Sequence, residues 1–366
     1  MQKNATQTYE NPGRLSIEDA VYLYEKAPFF ELLRSADEKR KAMLPNNEVT
    51  YLVDRNINYT NACTINCQFC SFYRPPGHPE VYTQTIDQIS QRVLELEMVG
   101  GTRILMQGGV NPDLPIEWYV RILNELRARH PKVALDCFSP IEIEGISNVT
   151  KITTIEVLKI LKNAGMTGLP GGGAEMLVDE VRSDVSPIKG SSNNWLRIME
   201  EAQNLGLTTS ATNVIGFGES LHQRIEHLNK IRDLQERSLR LGNVGFTSFI
   251  AWPVQLENNS FGKRNRGNNR RDMGAGAVEY LRHIAISRLF LDNIPHIQAS
   301  WPTMGLEVAQ LGLSAGADDI GSTMMEENVV SASGTKKTSA AEEELRDAII
   351  KAGFIPRKRD SDYNLI

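Results

Sequence analysis

An α/β barrel of eight parallel strands, the (β/α)8 TIM-type architecture, preceded by a helical extension, is the fold this 366-residue sequence predicts. Three observations carry the prediction. From residue 51 onward, short apolar runs alternate eight times with amphipathic stretches of helical period. The connections are short, and right-handed crossovers then force neighbouring strands parallel. Glycine-rich and polar segments gather just after the apolar runs, at the strand ends where such barrels place their chemistry.

The elements follow in order. Ser16 and Asp19 have the spacing of a helix N-terminal cap, and Ile17, Ala20, Val21 and Tyr24 recur at helical intervals behind them. Strands are predicted at 51–59, 103–106, 133–138, 168–169, 208–214, 246–250, 296–299 and 318–320. Helices are predicted at 86–99, 116–129, 154–164, 192–205, 220–237, 274–291, 304–314 and 339–352. The fourth strand has the thinnest signal, because Pro170 and three glycines follow it directly. The chain thus divides into a helical extension over 1–50, a barrel over 51–352 and a tail over 353–366 packed on the barrel.

Read as a barrel, one face collects an unusual set of residues. The first strand runs into Cys63, Cys67 and Cys70, and the second into Gln107-Gly108-Gly109. The third ends at Phe138-Ser139-Pro140, and the fourth opens Pro170-Gly-Gly-Gly-Ala-Glu175. Asn213, Trp252 and Trp301 mark the next three ends, and Gly321 to Asn328 follow the eighth.

Composition narrows the class. Apolar residues at 41% and charged residues at 23% are ordinary for a globular protein. A formal charge of 40 − 45 = −5 gives no reason to expect nucleic acid or an anionic membrane as partner. No apolar run approaches the roughly 20 residues that span a bilayer. With four cysteines in a long chain and no signal-like start, a disulfide framework is not expected and a reducing cytoplasm is.

Three of those cysteines form a C-x3-C-x2-C run. Three thiolates within eight residues suit an iron–sulfur cluster, which ordinarily takes four protein ligands. Here the missing fourth would leave one iron open. A structural zinc site would need Cys137 or a histidine such as His78, and the usual second distant pair is absent. Buried structural thiols are the remaining reading, unusual beside Asn66, Gln68 and Ser71.

The other motifs admit two readings each. Gly108 and Gly109 could let backbone approach a ligand, or simply turn the chain. The segment 170–175 lacks the Lys-Ser/Thr ending of a phosphate loop. Its glycines could admit a ligand against the barrel wall while Glu175 accepts hydrogen bonds, or Glu175 could complement a helix dipole. Phe69, Trp252 and Trp301 could wall a ligand or pack in the core. Lys263, Arg264, Arg266, Arg270 and Arg271 read as a solvated loop that could act as a lid and offer an Arg to a carboxylate. His222 and His227 are five apart, off a single helical face.

Taken together, Arg55 to Asn61 leading into the cysteines, Phe72-Tyr73-Arg74, Gln107-Gly-Gly, Phe138-Ser-Pro140, residues 170–175 and Ser287 to Asn293 resemble the radical S-adenosylmethionine (SAM) enzymes of the futalosine route to menaquinone and of deazaflavin synthesis. The match spans nearly the whole chain. Gly245 to Ile250 and Gly321 to Ser331 look most like the cyclase branch, which closes dehypoxanthine futalosine; aminofutalosine synthase and the deazaflavin synthase subunit are its sisters.

The resemblance implies a radical SAM barrel with a [4Fe-4S] cluster on Cys63, Cys67 and Cys70 and SAM at its open iron. It implies Phe69, Gln107, Gly108, Gly109, Ser139 and Glu175 as the cofactor-binding residues, with Phe69 shielding the cluster. It further implies an aromatic ribosyl substrate attacked at C4′ and a low-potential electron donor such as flavodoxin or ferredoxin. Two positions depart from the family pattern. Asp136 and Phe217 stand where histidines are usual; Asp136 could still accept a proton, whereas Phe217 could not. Cys137, near the third strand end, is expected to be a buried thiol.

Overall fold

The computed structural model describes residues 14–265 and 273–366. Ten strands, all paired in parallel, form one sheet in the order β10-β1-β9-β8-β7-β6-β5-β4-β3-β2. They are β1 (Glu48–Leu52), β2 (Asp54–Ile57), β3 (Arg103–Met106), β4 (Ala134–Cys137), β5 (Gly168–Leu169), β6 (Thr208–Ile215), β7 (Phe246–Pro253), β8 (His296–Gln298), β9 (Asp319–Ser322) and β10 (Ile355–Lys358).

The predicted first strand, 51–59, begins earlier and is divided at Val53. Its two halves close the sheet on itself. β1 pairs with β9 through Thr50 and Leu52, while β2 pairs with β3 along Asp54–Ile57. Asn56 N–H also reaches the Met324 carbonyl at 2.9 Å, so one extended segment joins both ends of the ring. β10 was not expected from the sequence; it adds to the free side of β1.

Helices cover the outside, and several of their starts are written in the sequence. Ser16 Oγ accepts the Asp19 N–H at 3.0 Å at the head of α1 (Ile17–Lys26), which precedes α2 (Phe29–Met43). Thr85 with Gln88, Thr153 with Glu156 and Ser220 with Gln223 form full capping boxes at three barrel helices. The helix expected over 304–314 is two, Trp301–Met304 and Leu306–Leu313, broken at Gly305, whose φ of +85° suits glycine. Pro140–Thr150, Asp179–Val185 and Ser260–Arg264 are additional helices after strand ends.

The apolar core lies between sheet and helices, with Trp195 stacked on Phe246 at 6.1 Å between centroids. The interior of the ring is not filled in the same way. Thr208, Ser210, Thr212 and Val214 alternate along β6 and all line one internal cavity. That places the site.

Candidate active site

The three thiols sit in an irregular loop that follows β2. Cys63 N–H donates to the Arg74 carbonyl at 2.9 Å, and Cys70 N–H to the Cys67 carbonyl at 3.1 Å. Asn66 takes a left-handed φ of +55°, which tightens the turn between the first two cysteines. Gly109 packs against this loop so closely that a Cβ would lie 2.1 Å from the Ala62 carbonyl oxygen.

The donor set fits an iron–sulfur cluster. Burial and the neighbouring thiols raise the Cys63 pKa and push Cys70 up to about 11. Thiolates at these two positions are therefore disfavoured alone, and a cationic iron core reverses that balance. Among the described residues, no three His, Cys, Asp or Glu side chains converge on a point for a single metal ion. Cluster thiolates each take a different iron and need not converge. The zinc alternative loses its other candidates as well. Cys137 is fully buried in the core, as expected, and His78 Nδ1 accepts the Glu80 N–H at 3.2 Å.

A cavity of about 310 Å³ runs down the barrel from Phe69 and Cys70 to Tyr363. Its β6 wall spans six residue steps, about 20 Å of strand. Hydroxyls dominate that wall, from Thr208, Thr209, Ser210 and Thr212. Asn56 Oδ1 and Glu175 Oε2, both from lining residues, are buried without a hydrogen-bond partner in the protein. Such atoms suit a polar ligand such as SAM.

Glu175 is held in a left-handed conformation (φ +39°) at the end of the glycine run. Its Oε1 accepts from Lys189 Nζ at 2.7 Å, and Arg182 Nη1 lies 3.7 Å from Oε2. It is therefore an ion-paired group, not a helix-dipole partner. Burial works against the Lys189 ammonium, but the Cys67 and Glu175 charges outweigh it and raise its pKa. Lys189 also stands 5.2 Å from the centre of the Phe69 ring, linking carboxylate, aromatic ring and thiol loop. Asn213 Nδ2 donates to the Glu175 carbonyl at 2.8 Å and fixes its backbone. Lys189 and Arg182 escaped the sequence reading because neither has a motif spacing.

Of the other expected residues, Gln107 lines the cavity and donates to the Phe138 carbonyl at 3.1 Å. Gly108, Gly109 and Ser139 stand outside that lining. Gly109 N–H donates to the Thr60 carbonyl at 3.0 Å, while Gly108 and Ser139 meet around Glu142, another residue the sequence reading missed. Gly108 N–H (2.9 Å), Ser139 Oγ (2.7 Å) and Tyr59 OH (2.7 Å) all donate to its carboxylate. Burial pushes the Glu142 pKa up to about 7. Gly108 must lack a side chain because a Cβ would lie 2.7 Å from Tyr59, so packing accounts for the glycine.

Trp252 lines the cavity, but Trp301 does not; it is 1% exposed and donates to the Ser322 carbonyl at 2.9 Å. Phe217 packs on Phe69 at 5.2 Å, where a histidine would have placed a polar ring. Arg264 pairs with Asp184, and Arg266, Arg270 and Arg271 lie outside the described residues. His227 accepts the Leu177 N–H, and burial lowers its pKa to about 3, so it is neutral.

Residues 57–231 match the Radical SAM superfamily, and residues 243–366 match the CofH/MqnC C-terminal region. The cyclic dehypoxanthine futalosine synthase of Halalkalibacterium halodurans is 43% identical over 97% of this chain and 92% of its own. The chain is a radical SAM enzyme of this family. The corresponding Streptomyces coelicolor synthase is 40% identical over 96% of this chain and 85% of its own. A 5-amino-6-(D-ribitylamino)uracil–L-tyrosine 4-hydroxyphenyl transferase from Methanococcus maripaludis is 34% identical over 96% and 97%. Among solved structures, methylornithine synthase aligns with a TM-score of 0.72 over 96% of this chain and 97% of its own, at 16% identity, which speaks for the fold. As a radical SAM enzyme the protein uses a [4Fe-4S] cluster and SAM. No helix among the described residues is long and apolar enough to cross a membrane.

Proposed function

We propose that the protein cyclises dehypoxanthine futalosine to cyclic dehypoxanthine futalosine, in menaquinone biosynthesis. The carrying observation is the gradient of relatedness. Two proteins named as this synthase share 43% and 40% of residues across almost the whole chain, against 34% for the hydroxyphenyl transferase. The hydroxyl-lined cavity supports the reading, since a ribosyl substrate offers hydroxyls to match.

Each residue then has a task. Cys63, Cys67 and Cys70 would hold the cluster. Cluster and SAM, when bound, supply the 5′-deoxyadenosyl radical that removes hydrogen from C4′ of the ribose. Phe69, backed by Phe217, would shield the thiol loop from water. Glu175, its Oε2 unpartnered, would accept from a ribose hydroxyl or an amine of SAM, while Lys189 and Arg182 hold the carboxylate in place. Gln107 would border the same ligand, Gly108 and Ser139 would support it from behind through Glu142, and Gly109 would let the thiol loop pack close. Trp252 would wall the aromatic ring. A low-potential donor of the flavodoxin or ferredoxin kind would reduce the cluster.

The test is anaerobic turnover of the reconstituted protein with SAM, reductant and dehypoxanthine futalosine, followed by mass spectrometry. Substrate-dependent 5′-deoxyadenosine and a product two hydrogens lighter than the substrate are expected. Deoxyadenosine released without that product would move the assignment to a sister substrate.

A further inference from the structure

Three carboxylates line the barrel cavity: Asp136, Glu175 and Glu327. Glu175 is neutralised by Lys189 and Arg182. Glu327 accepts the backbone N–H groups of Val329 (3.2 Å), Val330 (2.7 Å) and Ser331 (3.2 Å), which fold the segment after β9. Asp136 is bound differently. Its oxygens take only hydroxyls, Thr167 Oγ1 at 3.2 Å and Ser361 Oγ, while Arg103 Nη1 stands 3.7 Å away. Arg103 itself is engaged elsewhere, with Nε 3.1 Å from Asp54 and Nη2 bonded to the same oxygen.

Ser361 belongs to a hairpin that closes the bottom of the cavity. Arg359 and Leu365 bridge its arms, and Asp360 accepts the N–H groups of Asp362 and Asn364 at 2.9 Å each. Tyr363, also in the cavity lining, stacks on His296 with ring centres 3.9 Å apart. Arg359 Nε is anchored on Asp319 at 2.6 Å. The hydroxyl is thus delivered to Asp136 by a tied-down loop.

We propose that Asp136, oriented by Ser361, accepts the proton that the substrate ring releases after cyclisation; this rests on the cyclase reading. Bond formation between C4′ and a ring carbon leaves that carbon tetrahedral, still bearing its hydrogen, and leaves one unpaired electron on the ring. Aromaticity returns when the hydrogen leaves as a proton to an Asp136 oxygen and the electron passes to a one-electron acceptor of the iron–sulfur class. The ring ends closed-shell and Asp136 ends neutral. Asp136 is the catalytic residue of this step and Ser361 its positioning residue.

The surroundings suit a base. Burial, with Asp362 from the hairpin, raises the Asp136 pKa, and Arg103, Ser361 and Thr167 work against that rise. Its neighbour Cys137 is a buried thiol whose pKa is far above the ordinary value, so it adds no charge. The carboxyl is thereby a stronger base than a free aspartate while its ionised form keeps two hydroxyl donors.

The test compares wild type, Asp136→Asn and Ser361→Ala as reconstituted enzymes. Product per 5′-deoxyadenosine is followed across pH, and substrate binding without reductant is measured by calorimetry. Asp136→Asn is expected to bind substrate normally and to release deoxyadenosine, with product per deoxyadenosine down about 100-fold. Ser361→Ala is expected to keep making product with the acid limb of its pH profile moved upward, because a bond favouring the ionised carboxyl is gone. Asp136→Asn giving product at the wild-type ratio, or losing substrate binding, would overturn the proposal. So would an unmoved acid limb in Ser361→Ala, which also decides the matter if Asp136→Asn fails to fold. Wild type giving no cyclised product would instead defeat the cyclase reading.

Discussion

Glu175 illustrates how a single residue carries several duties at this site. It bonds Lys189, faces Arg182 and keeps one oxygen unpartnered. Removing it leaves a buried ammonium uncompensated, so Glu175→Ala should destabilise the fold by roughly 3–5 kcal/mol in urea titration. Equilibrium dialysis of whatever folds should show weakened SAM binding. Glu142 gives a pH signature. Its carboxyl titrates near 4.5 when free and at about 7 in the folded protein. The fold therefore holds a proton that the unfolded chain releases between those values. Its contribution to stability is full below the lower value and is lost as pH rises through the upper one. Melting temperatures across that window should fall with pH in wild type, and this slope should flatten in Glu142→Gln. The sequence displayed the cysteines and Glu175 as motifs. Lys189 and Arg182 were hidden because they meet Glu175 and its loop through an irregular stretch with no fixed period, and Glu142 because Tyr59 and Gly108 reach it from two other strand ends.

At the scale of elements, the glycine turns are set by what they touch. A Cβ on Gly109 would lie 2.1 Å from the Ala62 carbonyl and 2.7 Å from Cys63 Cβ. Gly109→Ala should displace the thiol loop and cut iron content after reconstitution, with the far-ultraviolet circular dichroism unchanged. Several helix starts were legible because Ser or Thr caps announce them. β10 was not. Ile355–Lys358 alternates exposed and half-buried residues, carries a proline and two charges, and so reads as a tail; only pairing with β1 makes it a strand. The split at Val53 was equally illegible, since one apolar run serves two neighbours.

For the molecule as a whole, the division between packed and hollow regions decides what each large residue does. Trp301 fills the core and Trp252 borders the cavity. Trp301→Ala should cost roughly 3–5 kcal/mol of stability while the surviving folded enzyme still cleaves SAM. Trp252→Ala should do the reverse, changing stability little and lowering turnover. The barrel was legible because the strand–helix alternation is a property of the entire chain. That its interior is a channel closed from below by the last residues was not, because the tail meets β4 and β8 only in three dimensions. The central claim is that Cys63, Cys67 and Cys70 hold a cluster whose open iron takes SAM. Electron paramagnetic resonance of the reduced, reconstituted protein tests it most directly. A [4Fe-4S]+ signal that changes on adding SAM, and is lost in Cys67→Ala, is the predicted result. A cluster signal indifferent to SAM, or one that survives in Cys67→Ala, would contradict the account.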